Sequence, residues 1–419
     1  MPGRSCLRPY RPAAWRVPAL AGLVALAAVF PAAAENLSFV DWLAGQRAAA
    51  EALGVSSETY DRETAGLTPD LVLPDLVIGR RPAPRGSGEP EFVLTAQTYL
   101  AAGEIAALAE RGRKLTPEHR DAIALIVERY GVPGPVVVAI WGHETSYGAA
   151  RLKHDALRAV ATEAYAGRRQ QEFQVEFLAA LKILHSGQVT REGMKSSWAG
   201  AMGPTQLMPS NYVKYGADGD GDSRADIWTS VPDALASTAN LLAVYGWKAE
   251  TRWGYEVKLP AGFDCTEAIS SNIKPGTDWL AAGVVSLGVP IAAGEENDPF
   301  SVEMPAGPYG PAFLVSQNFA ALVKYGGAEL YALFVAHLSD QIDGGGPFVT
   351  PWQELEPFPA SDIHTLQDAL AELGFYTGTV DGLSGPETRV AIGAYQKAMG
   401  LAPDCTPTAA LVEQIGQGG

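Results

Sequence analysis

Glu144 closes an all-apolar segment, Val136-Val137-Val138-Ala139-Ile140-Trp141, and Tyr147 follows it within one helical turn. A carboxylic acid delivered by such a segment loses the hydration of its charged form and stays protonated near neutral pH. That is the state needed to hand a proton to a leaving oxygen, such as the one in a glycosidic bond. Taken alone, a glutamate in this position is more often a helix-end or salt-bridge residue. A second group of acids lies in Asp218-Gly219-Asp220-Gly221-Asp222-Ser223-Arg224-Ala225-Asp226, where Asp218, Asp220, Asp222 and Asp226 take positions 1, 3, 5 and 9 of an EF-hand-type loop. The backbone carbonyl of Arg224 offers a further ligand. Ser223 stands where such loops have glycine, and Thr229 where they have a bidentate glutamate. A tight acidic turn without metal is therefore the alternative, but repulsion among four carboxylates favours a cation. The expectation is a structural calcium site of modest affinity, with no cofactor required for the chemistry. No cysteine or histidine cluster has zinc spacing. Cys265 and Cys405 lie far apart in sequence, and two unpaired thiols are expected over a disulfide.

The elements that must carry these groups are mostly helical. Phe39, Trp42, Leu43 and Leu53 recur at helical intervals, followed by a Pro/Gly-rich stretch from Pro82 to Pro90. Thr116-Pro117-Glu118 reads as a helix start and Gly131 as a stop, and Gly134-Pro135 starts the segment that ends at Glu144. Helical patterning covers about 154 to 186 and 231 to 245. Between 250 and 300 it gives way to alternation, as in Trp253 to Pro260, so a small β-rich insertion is expected. Helical patterning is read again from Phe313 to Asp340. Gly344 to Pro359 reads as a semi-rigid, exposed linker, and 361 to 415 as a last unit of three short helices.

With 419 residues, more than one domain is expected. Residues 1–34 carry Arg4, Arg8, Arg11 and Arg16, then an apolar run from Val17 to Phe30, then Ala32-Ala33-Ala34. This reads as a cleaved export signal, too short for a comfortable membrane span. Cys6 precedes the apolar run and is not placed like a lipoprotein cysteine. The formal charge is −16, and loss of the four leader arginines takes it to −20. So acidic a chain repels polyanions, which argues against nucleic acid as a partner and leaves uncharged or mixed-charge polysaccharide open.

Gly131-Val132-Pro133 with the apolar helix and Glu144-Thr145-Ser146-Tyr147-Gly148, together with Ser197-Trp198-Ala199-Gly200-Ala201-Met202-Gly203-Pro204-Thr205-Gln206-Leu207-Met208-Pro209-Ser210, resembles the membrane-bound lytic transglycosylase B family. Gly167-Arg168-Arg169, Pro311-Ala312-Phe313-Leu314, Tyr325 and Tyr331-Ala332-Leu333 extend the resemblance over most of residues 91 to 340. It implies a mainly α, lysozyme-like catalytic domain acting on peptidoglycan glycan strands in the periplasm. Glu144 would protonate the oxygen between N-acetylmuramic acid and N-acetylglucosamine. It would then take the proton of the C6 hydroxyl as a 1,6-anhydro ring closes. The muramoyl acetamido group would stabilise C1, making a second carboxylate unnecessary. Ser197 and Gln206 match polar cleft residues, and Arg168 and Arg169 a paired-arginine helix suited to substrate carboxylates. Tyr325 and Tyr331 match cleft tyrosines whose rings suit sugar faces, with core packing as the alternative. Where the family commonly has Asn after the first of these tyrosines, this chain has Gly326.

Leu373-Gly374-Phe375-Tyr376, Asp381-Gly382, Gly385-Pro386-Glu387-Thr388 and Tyr395-Gln396 resemble the peptidoglycan-binding domain type 1 repeat, with Cys405 replacing a usual glycine after Asp404. The implied organisation is a signal peptide at 1–34, a catalytic domain at 35–343, a linker at 344–360 and a wall-binding module at 361–415. Two rival readings share these features. A hydrolytic muramidase would use Glu144 with a positioned water and usually a second carboxylate. A non-catalytic wall-binding or scaffold protein would leave Glu144 idle.

Overall fold

Gly134–Thr145, the helix that ends at the candidate acid, begins with Pro135, whose fixed φ and missing N–H suit a first helical turn. Val137, Val138, Ala139 and Ile140 are fully buried, so the helix has no solvent face for most of its length. A computed structural model describes residues 37–77, 90–355 and 358–417. The expected export signal at 1–34 lies outside the described residues, as do 78–89, which include most of the Pro/Gly-rich stretch.

Two apolar cores flank the end of this helix. One gathers Gly134–Thr145 with Val231–Val244, Gln317–Gly326 and Glu329–Ile342. The other gathers Phe39–Ala52, Ala156–Ala166, Gln170–Ser186 and Pro209–Tyr215. Tyr325 packs against both, which places it at their seam. The stretch read as one helical region from 154 to 186 is broken at Gly167–Arg169, where the backbone leaves helical geometry.

A five-stranded antiparallel sheet is inserted between Val231–Val244 and Gln317–Gly326. Its order across the sheet is Lys274–Pro275, Pro299–Glu303, Ala312–Val315, Gly254–Lys258 and Val285–Ser286. Register is fixed by pairs such as Tyr255↔Leu314 and Val302↔Leu314. Phe313-Leu314-Val315 thus lies in a strand, not at the start of a helix, and the next helix begins only at Gln317. A short run buried on every side has no periodicity to separate strand from helix.

Residues 360–417 form three helices, Ala360–Glu372, Pro386–Ala398 and Ala409–Gln417, around Leu366, Leu370, Ile392 and Leu411. Buried Gln367 accepts from Asp381 N and Gly382 N through Oε1 and donates to the Asp381 carboxylate. Gln396 repeats this arrangement with Asp404 and Cys405.

Two expectations are corrected here. Cys265 and Cys405, separated by 140 residues, form a disulfide that joins the β insertion to the C-terminal unit. Cys405 adopts φ 55°, the left-handed conformation open to the glycine it replaces. Second, the segment read as an exposed linker is held down for part of its length. Phe348 stacks on His337 with ring centroids 3.7 Å apart, and Val349 N and Thr350 N donate to the Glu256 carboxylate at 2.7 and 2.6 Å. Proline content reports the stiffness of a segment but not the aromatic pockets that receive it.

Candidate active site

The chain turns sharply straight after Glu144. Ser146, Tyr147 and Gly148 follow at φ 48°, 56° and 76°, three successive left-handed residues. Left-handed backbone costs non-glycine residues about 1–2 kcal/mol each, so the surroundings must impose it. Tyr147 folds back over the helix, its hydroxyl donating to Leu108 O at 2.8 Å. A Cβ at Gly142 would lie 2.6 Å from its ring, which leaves glycine alone for that position. Thr145 Oγ1 donates to Pro204 O at 2.7 Å and accepts from Gly148 N. That single hydroxyl joins the Glu144 segment to the 197–210 motif.

Glu144 is largely enclosed yet still reached by solvent. Burial pushes its carboxyl up from 4.5 to about 7, against a downward pull from the Tyr331 hydrogen bond, with a smaller upward push from Glu91. Tyr331 Oη donates to Glu144 Oε1 at 2.6 Å. Burial, then the Glu144 charge, raises the Tyr331 phenol well above its usual range, so it stays a donor. Neighbouring His143 is held neutral, lowered to about 4 by burial. Its Nε2 is 2.8 Å from Tyr99 Oη, and its ring packs edge-on to Tyr331 and Phe334.

Tyr325 and Tyr331 flank a bend of 116° between Gln317–Gly326 and Glu329–Ile342. Their rings stack 6.4 Å apart. Tyr325 donates to Thr205 O at 2.6 Å, which ties it to the 197–210 motif. Tyr331 is only 3% exposed, so its ring offers no face to a sugar, and its hydroxyl is the end that meets Glu144. A Cβ at position 326 would lie 2.0 Å from the Tyr331 ring. Gly326 is therefore what allows Tyr331 to occupy this position, and an asparagine there would require a different ring placement.

Ser197 Oγ accepts from Ala201 N at 3.2 Å and closes the turn of its own motif. Gln206 adopts φ 55° and donates from Nε2 to Gly203 O. Both serve the loop that Thr145 and Tyr325 hold beside Glu144. Arg168 and Arg169, half-exposed, face Asp75 at 3.0 and 3.8 Å. They lie beside buried Glu163, whose carboxyl burial raises to about 7, Asp75 pushing it further up and both arginines opposing. Their ion pairs among the described residues are with Asp75.

In the acidic loop, ligand oxygens of Asp218, Asp220 and Asp222 lie within 4.8 Å of one another. Asp226 does not join them. Its carboxylate accepts from Trp228 N, Thr229 N and Thr229 Oγ1. Arg224 N donates to Asp222 Oδ1. Burial opposes ionisation of Asp218, but backbone N–H donors from Gly221 and Ser223 outweigh it and lower its pKa. The three clustered carboxylates suit a hard cation.

Tyr99 with His143, and Asp75 with Glu163, were not legible as site residues. The tyrosine and the aspartate come from the helix-rich N-terminal region, where no motif marks them.

Residues 38–340 match the transglycosylase SLT domain, and residues 359–415 match a putative peptidoglycan binding domain. Among curated proteins, membrane-bound lytic murein transglycosylase B of Escherichia coli (strain K12) is 30% identical over 231 residues, 54% of this chain and 61% of that protein. The chain thus spans less than two thirds of that relative's length. Crystal structures of SltB3 from Pseudomonas aeruginosa in complex with NAG-anhNAM-pentapeptide and with NAG-NAM-pentapeptide superpose with TM-score 0.81 at 40% identity, covering 91% of this chain and 100% of theirs. The C-terminal unit is also 49% identical over 53 residues to N-acetylmuramoyl-L-alanine amidase CwlM of Mycobacterium tuberculosis (strain ATCC 25618 / H37Rv), 12% of this chain and 13% of that protein. A mainly helical, lysozyme-like fold with a small sheet, a carboxylic acid at the seam of two cores and a three-helix C-terminal module converge on one conclusion: the chain belongs to the transglycosylase SLT family.

Proposed function

We propose that the protein is a lytic transglycosylase that cleaves the MurNAc–GlcNAc bond of peptidoglycan and releases 1,6-anhydromuramoyl ends. The observation that carries this reading is Glu144, raised to about 7 by burial and held by the Tyr331 hydroxyl. At neutral pH such a group is divided between acid and base forms, and the reaction uses both in turn. Glu144 gives its proton to the glycosidic oxygen as the C1–O bond breaks and its electrons pass to the leaving sugar. The muramoyl C6 hydroxyl oxygen then bonds to C1, and its proton returns to Glu144. Acid and base are restored in one cycle, and no water is consumed. SltB3, the 40% identical relative, binds both NAG-NAM-pentapeptide and its anhydro counterpart, which agree with the two ends of this sequence.

A muramidase would usually set a second carboxylate near the sugar. Glu163 is a buried carboxyl of suitable pKa, but its partners are Asp75, Arg168 and Arg169. Arg168 and Arg169 stay half-exposed beside Asp75, and that exposure supports a role for them at the peptide or lactyl carboxylates. Ser197, Gln206 and Tyr325 would shape the cleft wall. The organisation we propose is a catalytic unit at 35–343 and a wall-binding module at 361–415 joined through 344–360, exported to the periplasm by the leader at 1–34. A calcium ion held by Asp218, Asp220 and Asp222 would stabilise the loop that follows the 197–210 motif. Turnover of purified sacculi by the protein and by Glu144→Gln tests the reading. Loss of all release in the variant supports it, and persistent release overturns it.

A further inference from the structure

The bend between the Tyr325 and Tyr331 helices has a second face. Inside, Tyr331 holds Glu144. Outside, Lys324, Gly327, Ala328, Glu329 and Leu330 border a cavity of about 1030 Å³ between the catalytic unit and the C-terminal module, which neither Tyr331 nor Glu144 lines. Glu329 is the first residue of the Tyr331 helix, whose cap, Ala328, supplies no side-chain hydrogen bond. The partner that fixes Glu329 comes from the other domain: Arg389, on Pro386–Ala398, donates from its guanidinium to the Glu329 carboxylate at 2.6 Å. Arg389 is buried, and Glu303 of the inserted sheet lies 4.0 Å from the same nitrogen. One guanidinium thus serves two carboxylates, with Glu303 largely cut off from solvent. Burial, followed by the Glu329 charge, pushes the Glu303 carboxyl well above its usual range. The docking is held elsewhere by the Cys265–Cys405 disulfide, Lys397 on Asp264 and Tyr309 Oη donating to Asp404 at 3.1 Å.

Only Leu330 separates the clamped residue from Tyr331, and both lie in the first turn of one helix. A first turn without a cap frays most easily. Gly326 and Gly327 just before it leave the bend little stiffness of its own. What restrains the turn from outside therefore also restrains the hydroxyl inside. We propose that Arg389 of the wall-binding module is a positioning residue for the Glu144 reaction, acting through Glu329 on the turn that places Tyr331. The module then does more than hold wall near the catalytic unit: its seating sets the geometry of the acid. This inference rests on Glu144 being the catalytic acid.

The test uses the full-length chain and soluble peptidoglycan oligosaccharides, so that anchoring to wall does not enter the rate. Arg389→Met, Arg389→Lys, Glu329→Gln and Glu144→Gln are compared with the unaltered protein for kcat, KM, pH–rate profile and near-UV circular dichroism. Arg389→Met, folded, is expected to lose about tenfold in kcat with little change in KM. Its descending alkaline limb should move upward, as is expected for Tyr331→Phe, because Glu144 has lost its donor. Arg389→Lys should recover most of the loss. An unchanged kcat and limb in folded Arg389→Met would overturn the inference. So would a lower kcat with an unmoved limb, since a purely structural role only reduces the amount of competent enzyme. If Arg389→Met does not fold, Glu329→Gln decides by the same two readings. An active Glu144→Gln would instead remove the reading of the acid on which the inference stands.

Discussion

Replacing Tyr331 with phenylalanine removes one oxygen and leaves the ring packing in place. That oxygen donates to Glu144 Oε1 at 2.6 Å, and its bond is the main influence drawing the Glu144 pKa down toward about 7. A hydrogen bond to a charged group is worth about 1.5–3 kcal/mol, and one pKa unit corresponds to about 1.36 kcal/mol. Water reaches Glu144 and would replace part of the lost bond, so an upward shift of about one unit is expected. The pH dependence of kcat/KM on soluble glycan, at constant ionic strength, reads this directly. The unaltered protein should fall off above pH 7, where the acid loses its proton. In Tyr331→Phe the fall should begin about one unit higher. The plateau should drop roughly 10- to 100-fold, because the carboxylate that forms as the bond breaks has lost its donor. A limb that stays in place or moves down would refute the assignment of Tyr331 as the group that stabilises the Glu144 carboxylate.

Three further outcomes follow from the same geometry. The folded Glu144 pKa is raised from 4.5 to about 7, so folding favours the protonated form. Its contribution is complete below the unfolded pKa and is lost as pH rises through about 7. Glu144→Gln escapes that loss: its melting temperature should exceed the parent's at pH 8, by the equivalent of about 1–2 kcal/mol after allowance for solvent, and match it at pH 4. Gly326→Ala places a Cβ 2.0 Å from the Tyr331 ring; kcat should fall about tenfold, and the double variant with Tyr331→Phe should be no worse than Tyr331→Phe alone. Calcium at about ten times a dissociation constant of ~0.1 mM should raise stability by about 1.4 kcal/mol, or roughly 2–4 °C in melting temperature. Asp220→Asn should abolish that calcium-dependent rise, and a rise that survives it would remove the ion from Asp218, Asp220 and Asp222.

What the sequence could and could not convey divides along contact distance. Glu144 was legible because its environment is local: the apolar helix that buries it is the segment just before it. The 197–210 motif was legible as a block, and the structure shows why the two belong together, through Thr145 to Pro204 and Tyr325 to Thr205. The Cys265–Cys405 pairing was not, because 140 residues of separation say nothing about how the C-terminal module docks. Arg389 is equally silent in sequence; it sits in an ordinary helical pattern, and only the fold brings it to Glu329 and Glu303. Tyr331 was read as a ring for stacking on sugar or for core packing; its burial favours packing, and the hydroxyl is the end that reaches Glu144. The loop of aspartates was legible as a cluster; the fold gathers Asp218, Asp220 and Asp222, and Asp226 caps Trp228 and Thr229.

Mass spectrometry of muropeptides released from purified sacculi by the full protein, run beside Glu144→Gln, bears most directly on the chemistry assigned to Glu144. Anhydromuropeptides, lighter than hydrolysis products by one water and absent with the variant, are the expected result. Reducing-end products from the unaltered protein, or anhydro products that persist in Glu144→Gln, would contradict it.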